Sequence, residues 1–321
     1  MTASHVISIK CMTCTLKQFI YKIQTVIKFK TKYIVAFLVA VSVAYMGGFV
    51  AGVKKYFPFA LVKSIKNEFN KPIIKGPLGW DTCEIEEIME LPSSFSVLVG
   101  HAYGAPSKWK PDGFIAPNVE SFLLKNIQNI QNIIFTGDVF YLPISSKWNK
   151  LFKKFEPAKI YIAPGNHDFE RLDSKEIFSQ NKFIRKDYPF NLSLGNISVV
   201  VDDSISSNWS AGENLKVFLK KIIADDIFIA RHNIPISQLL PYANLVTGNP
   251  DITSVDDFIE DFSKKQNFTW IMGDGGARAD LPRLTCNSFK NHRFIVNGIG
   301  EVKNDTVLIL YNENIFSHII R

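Results

Sequence analysis

Between residues 94 and 168 the chain states one pattern three times: a short apolar, β-prone run that stops at a glycine and then lays down polar groups. The runs are 94–99, 132–136 and 159–163. Their tips read Gly100-His101-Ala102-Tyr103-Gly104, Gly137-Asp138-Val139-Phe140-Tyr141 and Gly165-Asn166-His167-Asp168. Helix-like stretches separate them, at 118–131 behind Pro117 and at 146–155. Proline suits a first helical turn because its missing N–H is not needed there. Strand, helix and strand in alternation specify a largely parallel sheet, because the crossover returns each strand in the same direction. The carboxyl ends of such strands share one edge, and ligands bind along that edge. The three tips therefore bring amide, imidazole, phenol and carboxylate groups to one place.

The second half continues in the same way. Strand-like runs at 196–201 and 226–230 flank a helix at 213–223, and the second run ends in Arg231-His232-Asn233. A helix at 255–264 precedes the run 268–272, which stops at Gly273-Asp274-Gly275-Gly276. The tail, 284–320, is a series of short β runs with turns at Asn297-Gly298 and Asn312-Glu313-Asn314. It reads as antiparallel strands that complete a second sheet.

The amino-terminal part has a different character. Residues 33–53 carry no charge and are long enough to cross a bilayer once as a helix. The chain thus divides into a basic segment at 1–32, a transmembrane helix at 33–53, a tether at 54–92 and a folded domain at 93–321. Pro72 and Pro77-Leu78-Gly79 break the tether, and 81–91 reads as a short helix stopped by Pro92. Lysines flank the span on both sides, so the positive-inside rule is tied. A basic start before a single span places the amino terminus inside and the domain outside, a single-pass membrane protein with the bilayer as one partner. The pair Cys11 and Cys14 has no second pair to complete a zinc site. Cys83 and Cys286 are either a disulfide or two free thiols.

The formal charge of +7 lies largely in the first 75 residues, so it says little about the domain. Arginine clusters interleaved with aromatics are lacking, and no nucleic-acid partner is expected. No Gly-x-Ser-x-Gly elbow is present, which argues against a serine hydrolase.

Gly137-Asp138, then Gly165-Asn166-His167-Asp168, then His232 after a strand and a final glycine-bracketed tip resemble the calcineurin-like metallophosphoesterases, in order and rough spacing, over about residues 93 to 300. The resemblance implies a four-layer α/β/β/α sandwich, here preceded by one transmembrane helix. It implies one or two divalent ions, Mn, Fe, Zn or Co, at the edge between the sheets. Asp138 would bridge the ions, and Asn166 and His232 would hold the second. His167 would serve as the general acid, oriented by Asp168.

Two motifs depart from the family pattern. Where the family has Asp-x-His-Gly, this chain has His101-Ala102-Tyr103-Gly104. Where it has Gly-His-x-His, this chain has Gly273-Asp274-Gly275-Gly276. His101 and Asp274 remain candidate ligands, and Tyr103 is a further one. Tyr141 matches the Gly-Asp-x-x-Tyr motif of purple acid phosphatases, in which the tyrosine binds iron, and is otherwise a packed aromatic. The expected function is metal-dependent hydrolysis of a phosphomonoester or phosphodiester near the membrane, with a lipid-linked or envelope-glycan phosphate as substrate. The alternative is a non-catalytic domain of the same fold that binds a phosphate-bearing partner or scaffolds an envelope assembly.

Overall fold

The structure is a computed structural model that describes residues 81–105, 113–169, 173–235, 255–274, 284–300 and 305–320. All of them lie in one compact unit, Pro72–Arg321. The expected membrane span at 33–53 lies outside the described residues. Among those residues no helix is long and apolar enough to cross a membrane.

Two mixed sheets organise the unit. In chain order the strands are β1 (Asp81–Thr82), β2 (Phe95–Val99), β3 (Ile130–Thr136), β4 (Lys159–Ala163), β5 (Phe190–Leu194), β6 (Ile197–Val201), β7 (Asp226–Arg231), β8 (Asn267–Met272), β9 (Leu284–Phe289), β10 (His292–Asn297), β11 (Thr306–Tyr311) and β12 (Asn314–Ile319). One sheet has the order β12-β11-β2-β3-β4, and the other β1-β9-β10-β8-β7-β6-β5. β2, β3 and β4 are parallel, as are β6, β7, β8 and β10. The helices are α1 (Pro117–Asn126), α2 (Ser145–Lys154), α3 (Asn166–Phe169), α4 (Ser174–Gln180), α5 (Glu213–Leu219) and α6 (Val255–Glu260).

Why these strands are buried on both faces follows from their pleat, which sends successive side chains to opposite sides. On β2, Val97 and Val99 join a core with Val119, Phe122 and Leu123 of α1 and Trp148 and Leu151 of α2. Leu98, between them, faces the other way. On β7, Ile227 and Ile229 pack with Leu215 and Leu219 of α5 and Phe258 of α6, while Phe228 and Ala230 point away. The residues pointing away meet in a third core, where Leu98, Ile134 and Leu308 of one sheet lie with Phe228, Ile271 and Ile295 of the other. Three cores between four layers give helix, sheet, sheet and helix in succession. The helix spacings of three and four residues supply the faces that close the outer two. Each fully buried aliphatic or aromatic side chain contributes about 1.5–3 kcal/mol.

Two expectations are corrected. The tail is antiparallel as expected, but only its first hairpin completes the second sheet. The hairpin β9–β10 joins the seven-stranded sheet and the hairpin β11–β12 the five-stranded one, because β11 pairs with β2 and β10 with β8. Residues 81–91 are not helical. Thr82 pairs with Asn287, and further on Ser317 donates its N–H to the Glu86 carbonyl at 2.8 Å while its own carbonyl accepts from Ile88 at 2.9 Å. These extended contacts satisfy a backbone that a helix would have satisfied internally. They also bring Cys83 to Cys286, and the two form a disulfide with Cα atoms 5.0 Å apart across 203 residues of chain.

Candidate metal centre

The carboxyl ends of β2, β3, β4, β7 and β8 carry the expected side chains to one edge, and backbone bonds tie each tip to the next. His101 donates its N–H to the Gly137 carbonyl (3.2 Å), and His167 donates its N–H to Oδ1 of Asp138 (3.0 Å). Asp274 donates its N–H to the His232 carbonyl (3.1 Å). Close approach demands glycine at two of these tips: a Cβ on Gly137 would lie 2.4 Å from the His232 ring, and one on Gly165 would lie 2.3 Å from Oδ1 of Asp138.

Asp138 is the hub. Its Oδ2 is 3.4 Å from Nε2 of His101 and 4.0 Å from Nε2 of His167, and its Oδ1 is 3.4 Å from Nε2 of His232. Oδ1 of Asn166 lies 3.3 Å from the same His232 nitrogen, and Oδ1 of Asp274 lies 3.9 Å from it. His101, Asn166 and Asp274 therefore gather with side-chain atoms within 4 Å of Asp138 or His232. Among the described residues, no three His, Cys, Asp or Glu side chains are set as a ready metal cage.

The chemistry of the donors nevertheless fits a divalent ion. Nδ1 of His232 is 3.0 Å from the Thr136 carbonyl, which can only accept, so the ring proton belongs there. In the neutral ring, Nε2 then presents a lone pair to three oxygen atoms that are also acceptors. Four electron-rich atoms facing one another call for a cation between them, and an outer partner that fixes the imidazole tautomer is a general feature of histidine ligands. His101 is buried, and its pKa is held well below the ordinary 6.5 by that burial and then by His232 and His167. Its ring is therefore neutral, and its Nδ1 has no hydrogen-bond partner.

His167 and Asp168 are both present, but not as an orienting pair. Asp168, fully buried, turns its carboxylate to the backbone: Val139 N–H at 3.0 Å, Gly165 N–H at 3.1 Å and Phe140 N–H at 3.5 Å. Burial, and then Asp138, push its pKa up, while these donors pull it down. The partner of the His167 ring at Nδ1 is the Tyr141 carbonyl, at 3.3 Å. The expected role fails because α3 carries the Asp168 side chain toward the β3 tip. Tyr141 thus contributes its carbonyl, and its ring lies edge-on to that of Tyr103 and tilted to that of His167, with centroids 5.5 and 5.1 Å away. The Tyr103 hydroxyl is 3.4 Å from Nε2 of His167.

Sequence reading missed a second buried ensemble behind His232. Arg231 is fully buried; its Nη1 lies 3.3 Å from Oδ2 of Asp202, and its Nη2 donates to the carbonyls of Trp209 (3.0 Å) and Ser210 (2.8 Å). Burial, outweighing the attraction of Arg231, pushes Asp202 up to about 6. The Ser204 hydroxyl donates to Oδ1 of Asn233 at 2.9 Å. Together they fasten the loop after β6 to the tip of β7. The available signal was Asp202-Asp203 at the end of a strand-like run.

Residues 119–273 match the model of the calcineurin-like phosphoesterase family. The match takes in Asp138, Asn166, His167, Asp168 and His232, and leaves out the two altered tips at His101–Tyr103 and Asp274. A conserved uncharacterised protein of Streptococcus pneumoniae TIGR4, described as a predicted phosphoesterase, is similar at 9% identity over 72% of this chain and 100% of its own, with a TM-score of 0.32. A protein of Staphylococcus aureus proposed as a 5′-nucleotidase, solved with α-ketoglutarate, is similar at 15% identity and a TM-score of 0.39. That likeness covers 71% of this chain and 52% of the other, so this chain spans about half that protein's length. No curated protein matches the chain.

Proposed function

We propose that the domain hydrolyses a phosphomonoester or phosphodiester with one or two divalent ions, Mn, Fe, Zn or Co, at the strand tips. The observation that carries this reading is the convergence of acceptor atoms from Asp138, Asn166 and Asp274 on the lone-pair nitrogen of His232. Asp138, Asn166, His232 and Asp274 would hold one ion, and His101 with the far oxygen of Asp138 the other. Such ions supply an activated hydroxide and neutralise charge on the phosphoryl group. The chain's own contribution is positional. Asp138 reaches toward both imidazoles and is the group suited to be shared. His167, held at Nδ1 by the Tyr141 carbonyl, is placed to hold a proton near the leaving oxygen. Asp168 keeps the β3 and β4 tips in register.

The uncharged stretch at 33–53 would anchor the domain to the bilayer, restricting it to phosphate esters near the surface, lipid-linked or of an envelope glycan. The Cys83–Cys286 disulfide favours the outer side, since such bonds persist in oxidising compartments. A non-catalytic, phosphate-binding domain is the second reading, favoured by the lack of a ready metal cage among the described residues. Metal content and turnover of an aryl phosphate separate the two. Asp138→Asn should abolish turnover and leave the fold intact. Activity within about tenfold of the wild type would overturn the assignment, since losing a catalytic metal ligand costs far more.

A further inference from the structure

We infer that Tyr103 is a positioning residue for His167: its hydroxyl donates to Nε2 and holds the ring in one tautomer and one rotation. The argument starts at the other ring nitrogen. Nδ1 of His167 lies 3.3 Å from the Tyr141 carbonyl, which offers no proton, so the neutral ring carries its hydrogen on Nδ1. Nε2 is then an acceptor in the neutral ring, and it carries the proton delivered to a leaving oxygen only once the ring has become imidazolium. The Tyr103 hydroxyl at 3.4 Å is a group that can donate to it, and the hydrogen bond runs from phenol to imidazole. The phenol is itself fixed. Tyr103 is buried, its ring lies 4.1 Å from that of His101 and 5.5 Å from that of Tyr141, and its N–H donates to the Asp138 carbonyl at 3.4 Å. A hydroxyl carried on so constrained a ring loses little freedom when it bonds.

The imidazole is thus gripped at both nitrogens, by a backbone carbonyl from the β3 tip and a phenol from the β2 tip. Nε2 is kept 4.0 Å from Oδ2 of Asp138. This assigns Tyr103 to the proton-handling histidine and not to a metal ion. The inference rests on the phosphoesterase reading only for its effect on turnover.

The test has two arms. In the first, the full-length, metal-free protein is labelled with ¹⁵N-histidine. The chain has six histidines, and His167→Gln identifies the signal of interest. Long-range ¹H–¹⁵N spectra should show His167 protonated at Nδ1 with a hydrogen-bonded Nε2, and Tyr103→Phe should shift Nε2 and populate the second tautomer. A wild-type ring protonated at Nε2 overturns the inference even if the variant fails to fold, and so does a spectrum indifferent to Tyr103→Phe. In the second arm, Tyr103→Phe should lower kcat about tenfold for an alkyl phosphate, the scale of one hydrogen bond, and much less for an aryl phosphate with a good leaving group. KM and metal content should not change. Equal losses for both esters, or loss of metal, would make Tyr103 a ligand or a packing residue and overturn its assignment. A wild-type protein with the expected tautomer and no turnover would instead refute the phosphoesterase reading.

Discussion

Replacing Asp168 by alanine tests the finding that this carboxylate serves the backbone and not the His167 ring. Two buried N–H groups, those of Val139 and Gly165, would lose acceptors at 3.0 and 3.1 Å, while the third, at 3.5 Å from Phe140, is at the limit of a bond. Each unsatisfied buried donor costs about 1–3 kcal/mol, so the gross loss is roughly 2–6 kcal/mol. Part is recovered, because the wild-type residue is a carboxylate whose ionisation burial opposes. A net loss of about 3 kcal/mol follows, which for a domain of this size lowers the melting temperature by roughly 6–12 °C. Asp168→Asn keeps one carbonyl oxygen and should lose about half as much. Thermal unfolding followed by circular dichroism measures both. A shift under about 2 °C for the alanine variant would refute the reasoning. So would an asparagine variant of wild-type stability whose turnover had vanished, because that is the signature of a residue orienting the acid.

Two further substitutions separate the histidines of the site. His232→Ala should lower metal occupancy, whereas His167→Ala should retain metal and lose about 10²–10⁴ in rate; equal metal loss in both would show the roles wrongly assigned. A third prediction concerns stability against pH. His292 is buried among Phe258, Phe262, Phe268 and Phe294 and accepts from Nε1 of Trp270 at 3.0 Å; burial lowers its pKa from 6.5 to about 3. The unfolded chain therefore takes up this proton first as pH falls, so the stability present above pH 6.5 is progressively lost toward pH 3, at about 1.4 kcal/mol per unit. His292→Phe removes that slope, and denaturant unfolding should show the two proteins drawing together by roughly 3 kcal/mol between pH 7 and pH 4. Parallel curves would refute the burial argument.

The parallel core of the fold was legible because its signals are local. The runs ending at Gly100, Gly137 and Gly165 alternate or saturate in apolar residues, and each stops at a residue whose backbone or size the tip requires. The destination of the tail was not legible. The two hairpins 284–297 and 306–319 have the same kind of pattern, and what sends one to each sheet is the identity of the edge strand it meets, which is a tertiary fact. The helix expected at 81–91 failed for the same reason: pairing with Asn287 and Ser317 outweighs a weak local preference. At the site, side-chain identities could be read, but partners that are backbone carbonyls could not. Thr136 and Tyr141 orient the two central imidazoles through their carbonyl oxygens, and every residue has one of those.

That dependence on backbone explains how the tips stay in place. His101 and Asp138 both adopt the left-handed conformation, with φ of 51° and 55°, and Gly137 beside Asp138 has φ of 87°. For a residue with a Cβ this costs about 1–2 kcal/mol, and it persists only where the surroundings over-determine it. Here they do. The carbonyl of Gly137 accepts from His101, the carbonyl of Asp138 accepts from Tyr103, and the N–H groups of Val139 and Gly165 converge on Asp168. The left-handed turn at Asp138 presents its carboxylate to three imidazoles, of His101, His167 and His232, that come from three different strands. An extended conformation at residue 138 would break the Asp168 bonds and withdraw the carboxylate together. The strain, the buried Asp168 and the glycines at 137 and 165 are therefore one device, which fixes the electron-rich atoms before any ligand arrives.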